Sequence, residues 1–143
     1  MSNSPDLQGQ LIALIRAFGL HRPDQTPCGQ PVTVAEAHAL MELSNGQSLS
    51  QNELSTRLSL EKSTVSRLVK ILERREWLQR NRSEADRRVM QLALTKNGQQ
   101  VAEQLATARR EKFDRILSAI PNGQQTVVLN SLKILVEAIH KSE

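Results

Sequence analysis

Residues 49–98 read LSQNELSTRLSLEKSTVSRLVKILERREWLQRNRSEADRRVMQLALTKNG, and their punctuation decides the fold. Ser50 and Glu53 stand three apart, the spacing of a capping box, and Leu49 with Leu54 supplies the hydrophobic staple beside it. A short helix from Gln51 to about Leu58 follows, then a tight turn, Ser59 to Lys62, and a second helix ending near Glu76. Two short helices joined by so brief a turn have helix-turn-helix dimensions. Beyond them, Trp77 to Asn81 and Arg88 to Thr95 are extended runs. In the latter, Met90, Leu92 and Leu94 alternate with Val89, Gln91 and Ala93, the period of a half-buried strand. The polar stretch Arg82 to Arg87 reads as a hairpin loop.

The second helix has two faces. At about 100° per residue, Val65, Leu68, Val69 and Leu72 gather into one stripe that predicts burial. Ser63, Ser66, Arg67, Lys70 and Arg74 gather opposite, with Thr64 beside them. Short hydroxyl side chains allow the helix start to approach base edges, and the cations behind them reach guanine or phosphate. Arg82, Arg87 and Arg88 sit at or near the hairpin tip, with Asp86 between them. An arginine gains from the concentrated negative potential of a narrow minor groove, and a neighbouring aspartate can hold its guanidinium in place. A cationic hairpin after a helix-turn-helix is the arrangement of a winged helix.

Charge follows the same boundaries. The 143 residues carry 19 Lys/Arg and 15 Asp/Glu, net +4. Ten basic and five acidic residues fall between Arg57 and Arg88, so this stretch holds +5 and the remainder sums to −1. The excess reads either as a solvated charged surface or as a local footprint for an acidic backbone, and charge alone does not choose between them. Aromatic residues make up only 2%, which argues against reading unpaired bases by ring stacking.

Outside the central stretch the pattern is helical. Leu7, Leu11, Leu14, Ile15 and Phe18 mark a helix over 6–20, stopped by Gly19 and by Pro23, Pro27 and Pro31. Thr33 and Glu36 cap the next helix, Val34 to Leu43, and Asn45-Gly46 ends it. Thr95 caps a long helix broken by Pro121-Asn122-Gly123, and a last helix runs from about Gln124 to His140. The expected class is mainly α with a small β-hairpin wing, a winged helix-turn-helix flanked by N- and C-terminal helices.

Asp86-x-Arg88-x-x-x-Leu92-x-Leu94-Thr95-x-x-Gly98 resembles the wing signature of the MarR-type transcriptional regulators. The runs Leu49 to Leu54 and Lys62 to Val69 resemble that family's helix-turn-helix, and the helix order agrees over essentially the whole chain. Glu76-Trp77 departs from the pattern, standing where a glycine and an aliphatic residue are common. The resemblance implies one MarR-like domain over 1–143, with a DNA-binding lobe at 33–95 and dimerisation helices at 6–20 and 96–140. It also implies a homodimer on a pseudo-palindromic double-stranded operator, acting as a repressor released by a small-molecule or oxidant signal. By carry-over, Arg88 is the minor-groove arginine and Asp86 its orienting partner, while Ser63, Thr64, Ser66 and Arg67 read or position the major groove.

The effector region has no comparable motif. Arg16, Phe18, His38 and Met41 are candidates to line a pocket for a small aromatic or anionic ligand, and Cys28 is the candidate redox residue. His21, Cys28, His38 and His140 lack short metal-ligand spacing, so no metal or other cofactor is expected. No catalytic constellation stands out, which leaves no enzyme reading. The sequence has no apolar run long enough for a membrane span and its start lacks a secretory pattern, so a cytoplasmic protein is expected. The alternative is a winged-helix module for protein contact without DNA binding, which the cationic face and wing arginines disfavour.

Overall fold

The computed structural model describes residues 3–143. They form α1 (Ser4–Phe18), α2 (Val34–Glu42), β1 (Leu49–Ser50), α3 (Gln51–Leu58), α4 (Lys62–Arg74), β2 (Leu78–Arg82), β3 (Met90–Leu94), α5 (Lys96–Ala119) and α6 (Gln125–Lys141). Two compact units divide within α5, one up to Ala108 and the other Arg109–Glu143.

Local sequence sets the ends of the helices. Gly19 closes α1 at φ 89, a left-handed conformation. Both capping boxes form. Thr33 Oγ1 accepts from the Glu36 N–H at 3.1 Å and Glu36 Oε1 accepts from the Thr33 N–H at 3.0 Å. Ser50 and Glu53 repeat the exchange at 3.1 and 3.0 Å. Hydrogen bonds from the Ser50 backbone and side chain hold the Glu53 carboxyl below its ordinary pKa. The turn between α3 and α4 is closed from both sides. Leu60 N–H donates to the Ser55 carbonyl at 3.2 Å, and Ser55 Oγ donates to the Leu60 carbonyl at 2.5 Å.

Leu40, Leu43, Leu54, Val65, Val69, Leu72 and Leu92 are wholly buried and centre the core of the first unit. The sheet is three-stranded and antiparallel, in the order β1-β3-β2. The third strand is an addition to the expected hairpin. Leu49, read as a staple, pairs with Leu92, and Ser50 pairs with Gln91. On the loop side β2 runs one residue further than expected, through Arg82, while β3 starts two residues later, at Met90. Asp86 bonds the Arg88 N–H, and the Val89 N–H donates to the Asp86 carbonyl at 3.0 Å, so residues 88 and 89 belong to the loop.

α4 stops at Arg74 rather than near Glu76 because Glu76 leaves the helical conformation for φ 61. Its N–H donates to Glu73 at 2.9 Å and the Trp77 N–H to Leu72 at 3.1 Å, the pairing that closes a helix through a left-handed residue. A glycine serves there without strain. Glu76 is the family departure noted above, and it adopts the glycine's conformation.

In the unit Arg109–Glu143, α6 has no buried residue and exposes Val127, Leu132, Val136 and Ile139. In the other unit, α1 likewise has no buried residue and exposes Leu7, Leu14 and Ile15.

Candidate nucleic-acid interface

The two faces expected of α4 are realised. Val65, Leu68, Val69 and Leu72 are buried, while Ser63, Arg67, Lys70 and Arg74 are exposed and Thr64 and Ser66 half-buried. Burial of one stripe against the core fixes the roll of the helix and so fixes which side chains face outward. Arg67 Nη2 lies 3.5 Å from Thr64 Oγ1, which links two neighbours on the outer face. Glu61 at the α4 N-cap makes no side-chain capping bond.

Across the wing, β2 and β3 pair from Leu78↔Leu94 to Arg82↔Met90. The loop beyond is internally bonded. Ser83 N–H donates to the Val89 carbonyl at 2.9 Å, and the Asp86 N–H to Ser83 Oγ at 3.3 Å. Asp86 grips Arg88 with both oxygens. Nε donates to Oδ1 at 3.1 Å and Nη2 to Oδ2 at 3.3 Å, and the Arg88 N–H also donates to Oδ1 at 3.1 Å. These bonds hold the Asp86 carboxyl below its ordinary pKa, the side-chain contact contributing most. Arg88 is 91% exposed, so a fixed guanidinium projects into solvent.

Arg82 has a different part. Its Nη1 donates to the Arg87 carbonyl at 2.8 Å, which braces the loop from the strand end. Arg87 itself is exposed. The ten sequence candidates therefore form two groups, six on α4 and four on the wing. Within them the structure joins Thr64 to Arg67, Arg82 to Arg87 and Asp86 to Arg88.

Four of the ten basic residues in 57–88 are paired with carboxylates. Besides Arg88, Arg57 meets Glu42 at 3.4 Å, Arg80 meets Glu73 at 3.0 Å and Arg75 meets Glu36 at 2.8 Å. Sequence spacing gives no signal for the first and last of these, which join separate helices.

Arg16 and Phe18 lie on α1, and His38 and Met41 on α2. Phe18 is half-buried and the other three are exposed. Cys28 is half-buried in the Pro-rich connector. Among the described residues no group of three or more His, Cys, Asp and Glu is placed to hold a metal ion, and no helix is long and apolar enough to cross a membrane.

Residues 32–90 match the sequence model of the MarR family. The regulator SarZ of Staphylococcus aureus is 29% identical over 97 residues, covering 68% of this chain and 64% of its own length. The chain thus spans less than two thirds of that relative. Among solved structures, FabT of Streptococcus pneumoniae, determined in complex with DNA, superposes with a TM-score of 0.74 at 20% identity, covering 99% of this chain and 96% of its own. PcaV of Streptomyces coelicolor, determined with its natural ligand, gives 0.75 at 21% identity, covering 97% of each chain. These structural likenesses establish the winged-helix fold.

Proposed function

We propose that this chain, whose residues 32–90 match the MarR family model, is a member of that family and a transcriptional regulator that binds double-stranded DNA as a homodimer. The observation that carries the reading is the pairing of a cationic outer face on α4 with a guanidinium held rigid at the wing tip. The α4 face suits a major groove, with Ser63, Thr64, Ser66 and Arg67 at the bases and Lys70 and Arg74 at phosphates. Arg88, oriented by Asp86, suits the adjacent minor groove, with Arg82 and Arg87 beside it. FabT's complex with DNA supports the same use of the fold.

The exposed apolar residues of α1 and, separately, of α6 support a second copy as partner, since large unpaired apolar surface marks an interface. A two-fold dimer reads a pseudo-palindromic site, its half-sites about one helical turn apart. Occlusion of a promoter then gives repression. Release by a small aromatic or anionic ligand near Arg16, Phe18, His38 and Met41, or by oxidation of Cys28, completes the proposal; that PcaV was determined with a natural ligand supports a ligand-bound state of this fold.

The test is duplex binding across a salt series. A DNA-binding dimer contacting 6–10 phosphates loses about 10³–10⁵ in affinity between 50 and 200 mM salt. Absence of duplex binding at low salt, with the fold intact, overturns the proposal and favours a protein-contact module.

A further inference from the structure

Arg75 follows the last residue of α4, inside the basic stretch; its side chain is 41% exposed, yet its guanidinium reaches a buried carboxylate and an indole ring. Nη1 lies 2.8 Å from Glu36 Oε2, and Cζ lies 4.9 Å from the centre of the Trp77 ring. The Glu36 side chain is only 5% exposed. Its other oxygen, Oε1, accepts the Thr33 N–H, so the carboxylate is fixed at the α2 N-terminus. The Arg75 contact has ion-pair distance without hydrogen-bond alignment, which leaves Oε2 with charge compensation alone. Trp77 in turn accepts the Thr95 N–H on its carbonyl at 3.0 Å, at the start of α5. One side chain at the end of α4 therefore touches both Glu36 at the start of α2 and Trp77, the residue before β2.

We propose that Arg75 is a positioning residue that sets the angle of α4 and the wing through Glu36 and Trp77, and makes no contact with DNA. This inference rests on the DNA-binding reading above. Leverage is the physical reason. α4 has 13 residues, and at about 1.5 Å per residue a tilt of about 5° at its end displaces its start by about 1.6 Å. Functional groups need placement to within about 0.5 Å. Loss of Arg75 also leaves a buried carboxylate uncompensated, which the surrounding helices must move to relieve. Glu36→Gln keeps the cap acceptor while removing the charge.

The experiment uses the full chain and a duplex selected by the wild type from a random pool. Affinities for that duplex and for an unrelated one are measured across salt for Arg75→Gln, Arg75→Lys, Glu36→Gln and the Glu36→Gln/Arg75→Gln pair. Arg75→Gln and Glu36→Gln each lower affinity for the selected duplex by about tenfold. Affinity for the unrelated duplex and the salt slope stay as in the wild type, and the double variant loses no more than either single one. Arg75→Lys, which keeps the charge, falls between. Glu36→Gln is the decisive arm, because it makes the protein more positive and still weakens binding. It also carries the test if Arg75→Gln fails to fold.

A salt slope reduced by about one in Arg75→Gln, with Glu36→Gln silent, makes Arg75 a phosphate contact and overturns the proposal. Additive losses, or none, overturn it as well. If the wild type binds no duplex, the DNA-binding reading fails first and this role with it.

Discussion

Gly98 packs directly against the backbone of Trp77, so closely that a β-carbon on Gly98 would collide with the Trp77 carbonyl group, 2.9 Å from its carbon. Thr95 completes the junction. Its hydroxyl donates to the Glu76 carbonyl at 2.5 Å and accepts the Gly98 N–H at 3.0 Å. The Thr95-x-x-Gly98 part of the wing signature is thus a packing device that joins α5 to the end of α4.

Gly98→Ala forces a β-carbon against the Trp77 backbone, where no flexible side chain can yield. The expected loss of stability is about 1–3 kcal/mol, the usual range for overpacking. Chemical denaturation of the two proteins reads it as a lower midpoint at unchanged slope. An unchanged midpoint refutes the close approach.

Glu76→Gly acts in the opposite direction. Glu76 occupies φ 61, where a side chain costs about 1–2 kcal/mol and glycine costs nothing sterically. Glycine's greater freedom in the unfolded chain offsets part of the gain, leaving about 0.5–1 kcal/mol of stabilisation. A Tm equal to or below that of the wild type contradicts the strain.

Arg88→Ala is expected to leave the fold intact and weaken duplex binding by about tenfold, the scale of a hydrogen bond to a charged group. Its effect on Asp86 is separately visible. The folded carboxyl titrates below the unfolded value of about 3.9. The contribution of the pair is therefore complete above that pH and is lost as pH falls through the folded value. Carboxyl NMR titration should show the Asp86 midpoint rising toward the ordinary value in Arg88→Ala. A midpoint that stays put removes Arg88 as the cause.

Lys70→Ala tests the α4 face. As a phosphate contact, Lys70 supports all sequences alike, and its removal lowers the salt slope by about one. Altered sequence preference places Lys70 among the base-reading residues instead.

The local rules were the legible ones. Thr33 with Glu36 and Ser50 with Glu53 announce their helices because a cap is made within three residues. The α4 stripe is equally plain, since periodicity alone assigns Val65, Leu68, Val69 and Leu72 to the core. β1 was not legible. Two residues carry no period, and Leu49 becomes a strand only by pairing with Leu92. Arg75 was counted among the cations of the basic stretch because nothing near it in sequence reveals Glu36. The DNA-facing candidates on α4 emerged as the outer face, but the bracing bond from Arg82 to the Arg87 carbonyl needed the folded loop.

The two-pronged grip of Asp86 on Arg88 has a kinetic consequence. An arginine that carries its own anion is nearly neutral from a distance and adds little to the long-range attraction that brings protein and duplex together. Being already immobilised, it also surrenders little conformational freedom on docking. Arg87, exposed on the same loop, has the complementary profile. Encounter and retention are thereby divided between Arg87 and its neighbouring neutral pair: loss of Arg87 slows association, whereas joint loss of Asp86 and Arg88, which leaves the net charge unchanged, hastens departure, and stopped-flow measurement of the two variants separates them.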